Sequence, residues 1–165
     1  MSAISFEEVM FTILSATQDV VKNYMSLDVF AGKVASGVAP VTSDIVAIIG
    51  IGGDRVGYVM IAAGDATARK VAQQMLMLDD PDEEAMRDAI GEMTNNIAGL
   101  FKNRFQEQYG DVALGLPLVV SGLVRPPADL RSGTSNSSVS MQFKGVTIPF
   151  KTMDESIAFR VMVLI

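Results

Sequence analysis

The chain has no cysteine and no histidine among its 165 residues, and each absence closes a large region of chemistry. Without cysteine there is no disulfide scaffold, no thiol nucleophile and no thiolate metal site. Without histidine the commonest general base and metal ligand are missing, which excludes a Ser-His-Asp triad, a phosphohistidine relay and a histidine-ligated zinc. Clustered basic charge is also scarce: 13 Lys and Arg stand against 19 Asp and Glu, a formal net charge of −6. Phosphate-backbone recognition needs a basic stripe, so a nucleic-acid partner is not expected. No apolar run reaches the 18 or more residues of a membrane span, and Met1 to Met10 carries Glu7 and Glu8 in place of a basic leader, so a cytoplasmic protein without a membrane partner is expected. Any catalysis must rest on carboxylates, amides, hydroxyls or a borrowed metal.

At 49% hydrophobic and 19% charged, the composition is that of one globular domain spanning 1–165, with a sizeable core. Its most informative stretch is a long helix predicted from Pro81 to Tyr109. Asp80 is the expected cap, Pro81 suits the first helical position, Glu83 completes a capping box, and Gly110 is the expected stop. At about 100° per residue, Asp88, Glu92, Asn95, Asn96 and Gly99 gather on one face. Met86, Ile90, Met93, Ile97, Leu100 and Phe101 lie opposite. An acid and an amide held rigidly on an exposed ridge can act together, because the carboxylate pairs with a cation while the amide donates to and accepts from a water at once. A water-positioning site is the expectation. Gly91 and Ala98 flank the ridge and Gly99 lies on it; an interior glycine costs a helix about 1 kcal/mol relative to alanine, which is read as permitting close approach.

The remaining elements follow from periodicity and turn chemistry. A first helix is predicted from Ser5 to about Tyr24 and a short one from Ala66 to Leu78. Strands are predicted at Val29–Ala35, Thr42–Ile51, Val56–Ala63, Leu116–Val124, Val139–Phe143, Val146–Phe150 and Ile157–Ile165. Gly52, Gly53 and Asp54 signal a hairpin. Gly50 to Gly57 lacks phosphate-loop spacing and leads into a strand, so it is read as that hairpin. Pro149 should lie at an edge or a bulge, since it cannot donate to a ladder. Arg125–Ser138 is rich in Pro, Gly and Ser and reads as a loop. The 11 methionines are read as core filler, and Glu7, Glu8 and Asp79 through Glu84 as surface and cap charges. Each half runs as a long helix followed by about three strands, so an α/β (α+β) fold of two pseudo-duplicated αβββ halves is predicted, with long helices on a largely antiparallel sheet. The first helix, with Asp19 and Asn23 but no Glu-x-x-Asn, does not repeat the polar constellation.

The pattern Asp88-x-x-x-Glu92-x-x-Asn95, followed some two dozen residues later by Pro117 and the run Val119-Val120-Ser121-Gly122, resembles the CheC/CheX/FliY family of chemotaxis phosphatases. The single motif points to its CheX branch. The similarity extends to Ala89-Ile90-Gly91, to Ala98-Gly99, to Gly50-Ile51-Gly52-Gly53 and to the order of elements. The resemblance implies a CheC/CheX-like fold, a homodimer, and removal of phosphate from the aspartyl phosphate of a CheY-like response regulator. It implies that Glu92 docks a lysine of the receiver and that Asn95 aligns the attacking water. Asp88, Asn96, Gly91, Gly99 and Pro117 are expected in partner-binding or supporting roles, Pro117 mainly a structural one. No cofactor of its own is implied, since the receiver's acidic pocket would bring the magnesium. Asn96, directly after Asn95, lies near enough to share its role. Two other classes stay open: a non-catalytic module binding a response regulator or motor component, and a small-molecule sensor, which would need a large apolar pocket.

Overall fold

The computed structural model describes residues 3–125 and 144–165; the predicted strand Val139–Phe143 and all but the first residue of the Arg125–Ser138 loop lie outside them. Helix α1 spans Phe6–Met25 and starts at Ser5, whose Oγ accepts from the Glu8 amide while the Glu8 carboxylate accepts from the Ser5 amide. That reciprocal box satisfies two backbone donors the first turn leaves unpaired. Two short strands follow, β1 (Phe30–Ala31) and β2 (Ala35–Ser36), then the hairpin of β3 (Val41–Gly53) and β4 (Gly57–Ala63). Gly53 closes the hairpin at φ +104, and a Cβ there would lie 2.7 Å from the Asp111 carbonyl oxygen, so glycine is required on both counts.

Helices α2 (Asp65–Met75) and α3 (Glu83–Tyr109) come next, then β5 (Val112–Leu114), β6 (Leu118–Val124), β7 (Gly145–Lys151) and β8 (Ala158–Leu164). The strands form one antiparallel sheet in the order β1-β7-β8-β4-β3-β5, with β2 also on β7 and β6 also on β3. β4 and β8 pair at the centre, Ile61 opposite Val161. Each half of the chain thus supplies a hairpin, β3–β4 or β7–β8. Each also sends one outer segment across to cover the other half's hairpin: β6 lies on β3, and β1 with β2 lies on β7. The predicted duplication is visible in that exchange.

The helices cover one face. Ile45, Ala47, Ile49, Val59, Ile61, Val161 and Val163 point into the main core with Val9, Ile13, Ile90, Met93, Ile97 and Phe101 of the helices. The alternate strand positions Val46, Tyr58, Met60, Met162 and Leu164 form a second apolar cluster on the opposite face; burial there pushes the Tyr58 phenol up to about 12. In β8 the alternating residues Phe159, Val161 and Val163 face the main core, while Met162 and Leu164 between and beyond them join the second cluster.

Three boundaries differ from the sequence reading. The α3 cap is Asp82, whose carboxylate accepts from the Ala85 amide at 2.9 Å, while Asp80 pairs with Arg69 at 3.0 Å. Pro81 is therefore outside the helix, buried ahead of its cap. The predicted strand Val29–Ala35 is broken between β1 and β2: Gly32 donates to the Pro149 carbonyl at 2.7 Å, and a Cβ on Gly32 would meet the Pro149 ring at 3.0 Å. Pro149 accordingly sits in the strand next to the sheet edge, faced by the gap between two-residue segments. The predicted Leu116–Val124 strand begins at Leu118, and β5 precedes it; the turn between them is held by the Gly115 amide donating to Gly50 at 2.9 Å.

Candidate functional site

α3 runs 27 residues without a break, and its amphipathic pattern decides which face is left open. Met86, Ala89, Ile90, Met93, Ile97, Ala98 and Phe101 are buried against the sheet and α1; Leu100 is half-buried. Asp88, Glu92 and Asn95 are exposed along the opposite ridge, with Asn96 and Gly99 half-buried beside them. Thr94, fully buried, bonds back to the Ile90 carbonyl at 2.7 Å and so takes no part in the ridge.

Within the ridge the polar contacts are sparse. Asn96 Nδ2 reaches Glu92 Oε1 at 3.5 Å, the outer limit of a hydrogen bond. Among the described residues, the side chains of Asp88 and Asn95 make no hydrogen bond, and neither Asp88 nor Glu92 has a cation partner. The carboxylates and the Asn95 amide are thus available to an incoming molecule. Among the described residues no three metal-ligating side chains cluster.

One flank of the ridge is walled. Gly91 is buried, and a Cβ on it would lie 3.3 Å from Val119 Cγ2 and 3.9 Å from Pro117 Cβ. The room that Gly91 leaves is filled by its own chain on the β6 side; Gly99, with nothing within 4 Å of its notional Cβ, faces open space. Pro117 is exposed on the turn leading into β6, next to the ridge. One residue that sequence reasoning passed over, Arg87, completes the flank. Arg87 donates from Nη2 to the Val119 carbonyl and from Nη1 to Ser121 Oγ, both at 2.8 Å. The helical wheel carried the signal, since Arg87 falls about 100° round from Asp88, on the same side as Gly91. On α1, Asp19 pairs with Arg104, which also bonds Ser15 Oγ at 2.8 Å. The first helix therefore uses its polar residues to hold α3.

The arrangement is an exposed acid and amide on stiff backbone beside a walled turn, carried on a helix-covered antiparallel sheet of pseudo-duplicated halves. Similar folds are found in a CheX chemotaxis protein from Desulfovibrio desulfuricans (22% identity, TM-score 0.76, covering 94% of this chain and 97% of that one) and in a CheC-like superfamily protein from Shewanella sp. PV-4 (20%, 0.73, 94% and 96%). Another is the CheX of a CheX–CheY–BeF3–Mg2+ complex from Borrelia burgdorferi (18%, 0.67, 94% and 96%). No curated protein sequence matches the chain significantly. The family model described as chemotaxis phosphatase CheX matches residues 45–151, which include α3, the Pro117 turn, β4, β7 and all but the first four residues of β3. The chain belongs to the CheX family.

Proposed function

We propose that the protein hydrolyses the aspartyl phosphate of a CheY-like receiver domain, with Glu92 docking the receiver and Asn95 orienting the water. The observation that carries this reading is the exposure of Glu92 and Asn95 one helical turn apart, Asn95 without a side-chain hydrogen bond and Glu92 without a cation partner among the described residues, its one contact being Asn96 at 3.5 Å. An acyl phosphate is already reactive, so the protein need supply little beyond orientation and electrostatics. The Asn95 Oδ1 accepts a hydrogen bond from a water and leaves the water's lone pair aimed at phosphorus; the water's protons stay with the inorganic phosphate that is released. The oxygen–phosphorus bond forms in line as the bond to the aspartyl oxygen breaks, giving inorganic phosphate and the free carboxylate. The Glu92 carboxylate pairs with a cationic side chain of the receiver, and magnesium held in the receiver's own acidic pocket offsets charge on the phosphoryl oxygens. The Borrelia CheX fold relative was solved with CheY, BeF3 and Mg2+, which supports a receiver as the partner.

The test is steady-state phosphate release from a phosphorylated receiver. Losing one positioning hydrogen-bond group from a site of this kind costs on the order of 100-fold in kcat, the effect expected of Asn95→Ala with KM nearly unchanged. Glu92→Ala should raise KM about tenfold, equivalent to ~1.4 kcal/mol of docking. Wild-type turnover by Asn95→Ala would overturn the assignment. Release by the wild type of no more than one equivalent would leave a binding module in its place.

A further inference from the structure

We propose that Arg87 is a positioning residue, the clamp that fixes the interval between the Asp88–Glu92–Asn95 ridge and the Pro117 turn. The inference rests on the receiver-phosphatase reading of that ridge. β6 is hydrogen-bonded to β3 along one side only, and among the described residues no strand pairs with its other side. Its placement against α3 therefore depends on what reaches it from the helix. Among the described residues the only hydrogen bonds between α3 and β6 are the two from Arg87. Val119 also packs against the main core, and Gly91 lies close to Val119 and Pro117, but apolar contact is non-directional and does not by itself fix the strand's register against the helix.

A guanidinium suits the task because its donors lie in one plane in a fixed fork, so two acceptors on one strand are held at a set distance and angle. Val119 Oand Ser121 Oγ are such a pair, two residues apart on one strand. Each carries the strand's position to Pro117, which precedes Val119 by two residues. The geometric demand on the site is severe: a displacement of about 1 Å between a water-holding group and the reacting atom costs up to ~100-fold. A turn free to move away from Asn95 would admit competing waters on that flank. Arg87 touches neither the water nor the receiver in this scheme; it acts through β6.

The experiment has a kinetic arm and a geometric one. In the kinetic arm, Arg87→Ala is expected to lower kcat about tenfold with KM for the phosphorylated receiver unchanged, a split that tracks positioning and not docking. Arg87→Lys keeps the charge but not the fork, so it should recover little, and Ser121→Ala, which removes one acceptor, should fall between. Full binding stoichiometry with a beryllofluoride-loaded receiver separates these losses from partial unfolding, and millimolar guanidinium should restore Arg87→Ala but not Asn95→Ala. In the geometric arm, the absence of native cysteine lets spin labels be placed cleanly at Asn103 and Leu116, diluted with unlabelled protein. Arg87→Ala should broaden their distance distribution. An unchanged width, an unchanged kcat, or a rise in KM alone would each overturn the clamp while leaving the phosphatase reading intact. A wild type that neither binds nor turns over the receiver would remove that reading and the catalytic role of Arg87 with it, whatever the distance distribution shows.

Discussion

Two glycines on α3 separate what the helix owes to its own fold from what it offers outward. Gly91 lies under Val119 and Pro117, and even a methyl there would press Val119 at 3.3 Å. Gly99 has open space around its notional Cβ, so nothing within the described chain requires a glycine at that position. Its conformational cost in mid-helix is about 1 kcal/mol relative to alanine. Gly99→Ala should therefore raise the free energy of unfolding by roughly 0.5–1 kcal/mol, read from urea melts. If the ridge meets a receiver helix, the same methyl lies in the interface and should raise KM while kcat holds. A variant both more stable and equally well docked would place the contact surface elsewhere. The glycine cost was legible in the sequence, and the helical wheel placed Gly99 on the ridge; what fills the space beside Gly91 was not legible, because that depends on where β6 passes.

At the scale of elements, local chemistry was legible and boundaries were settled by tertiary contact. The α1 box of Ser5 and Glu8 forms between neighbours three residues apart, and the β3–β4 hairpin turns at Gly53 and Asp54, so the helix start at Ser5 and the hairpin were both legible in place. At the start of α3 three aspartates compete, Asp79, Asp80 and Asp82, and propensity alone does not choose among them. Arg69 on α2 draws off Asp80 and the Asp79 carbonyl accepts from Gln73, which leaves Asp82 to cap. Asp82→Ala is expected to cost about 1 kcal/mol of stability, whereas Asp80→Ala removes an exposed ion pair and should cost a few tenths of that scale at most. Chemical denaturation of the two variants checks the ranking, and a larger loss from Asp80→Ala would return the cap to Asp80. The division of Val29–Ala35 had the same kind of cause. Gly32 and Pro149 are more than a hundred residues apart, and only the folded sheet brings the glycine under the proline ring. The β7–β8 turn is local by contrast: hydrogen bonds from Thr152 and Ser156 hold the Asp154 carboxyl down at about 2.

For the molecule as a whole, strand order accounts for the single polar ridge and bears on the expectation of a second copy. The exchange of outer segments makes the halves interdependent, yet only the second half lays a full seven-residue strand, β6, at the sheet margin beside its long helix. The first half supplies the two-residue pieces β1 and β2 there. Those pieces offer a poor template for another chain, while β6 and its entry turn expose Leu116, Leu118 and Leu123 at 90%, 61% and 54%. Large apolar side chains gathered at one margin mark an interaction surface more often than chance exposure. A second copy covering Leu118 and Leu123 would remove them from water, and at about 25 cal/mol per Å2 even a few hundred Å2 contributes several kcal/mol before association costs. Sedimentation equilibrium is therefore expected to give about twice the chain mass of 17.6 kDa, and the pair Leu118→Lys with Leu123→Lys should return it to the single mass. A wild type that sediments as one chain at high micromolar concentration would exclude the dimer, and a dimer indifferent to both lysines would move its contact to another edge.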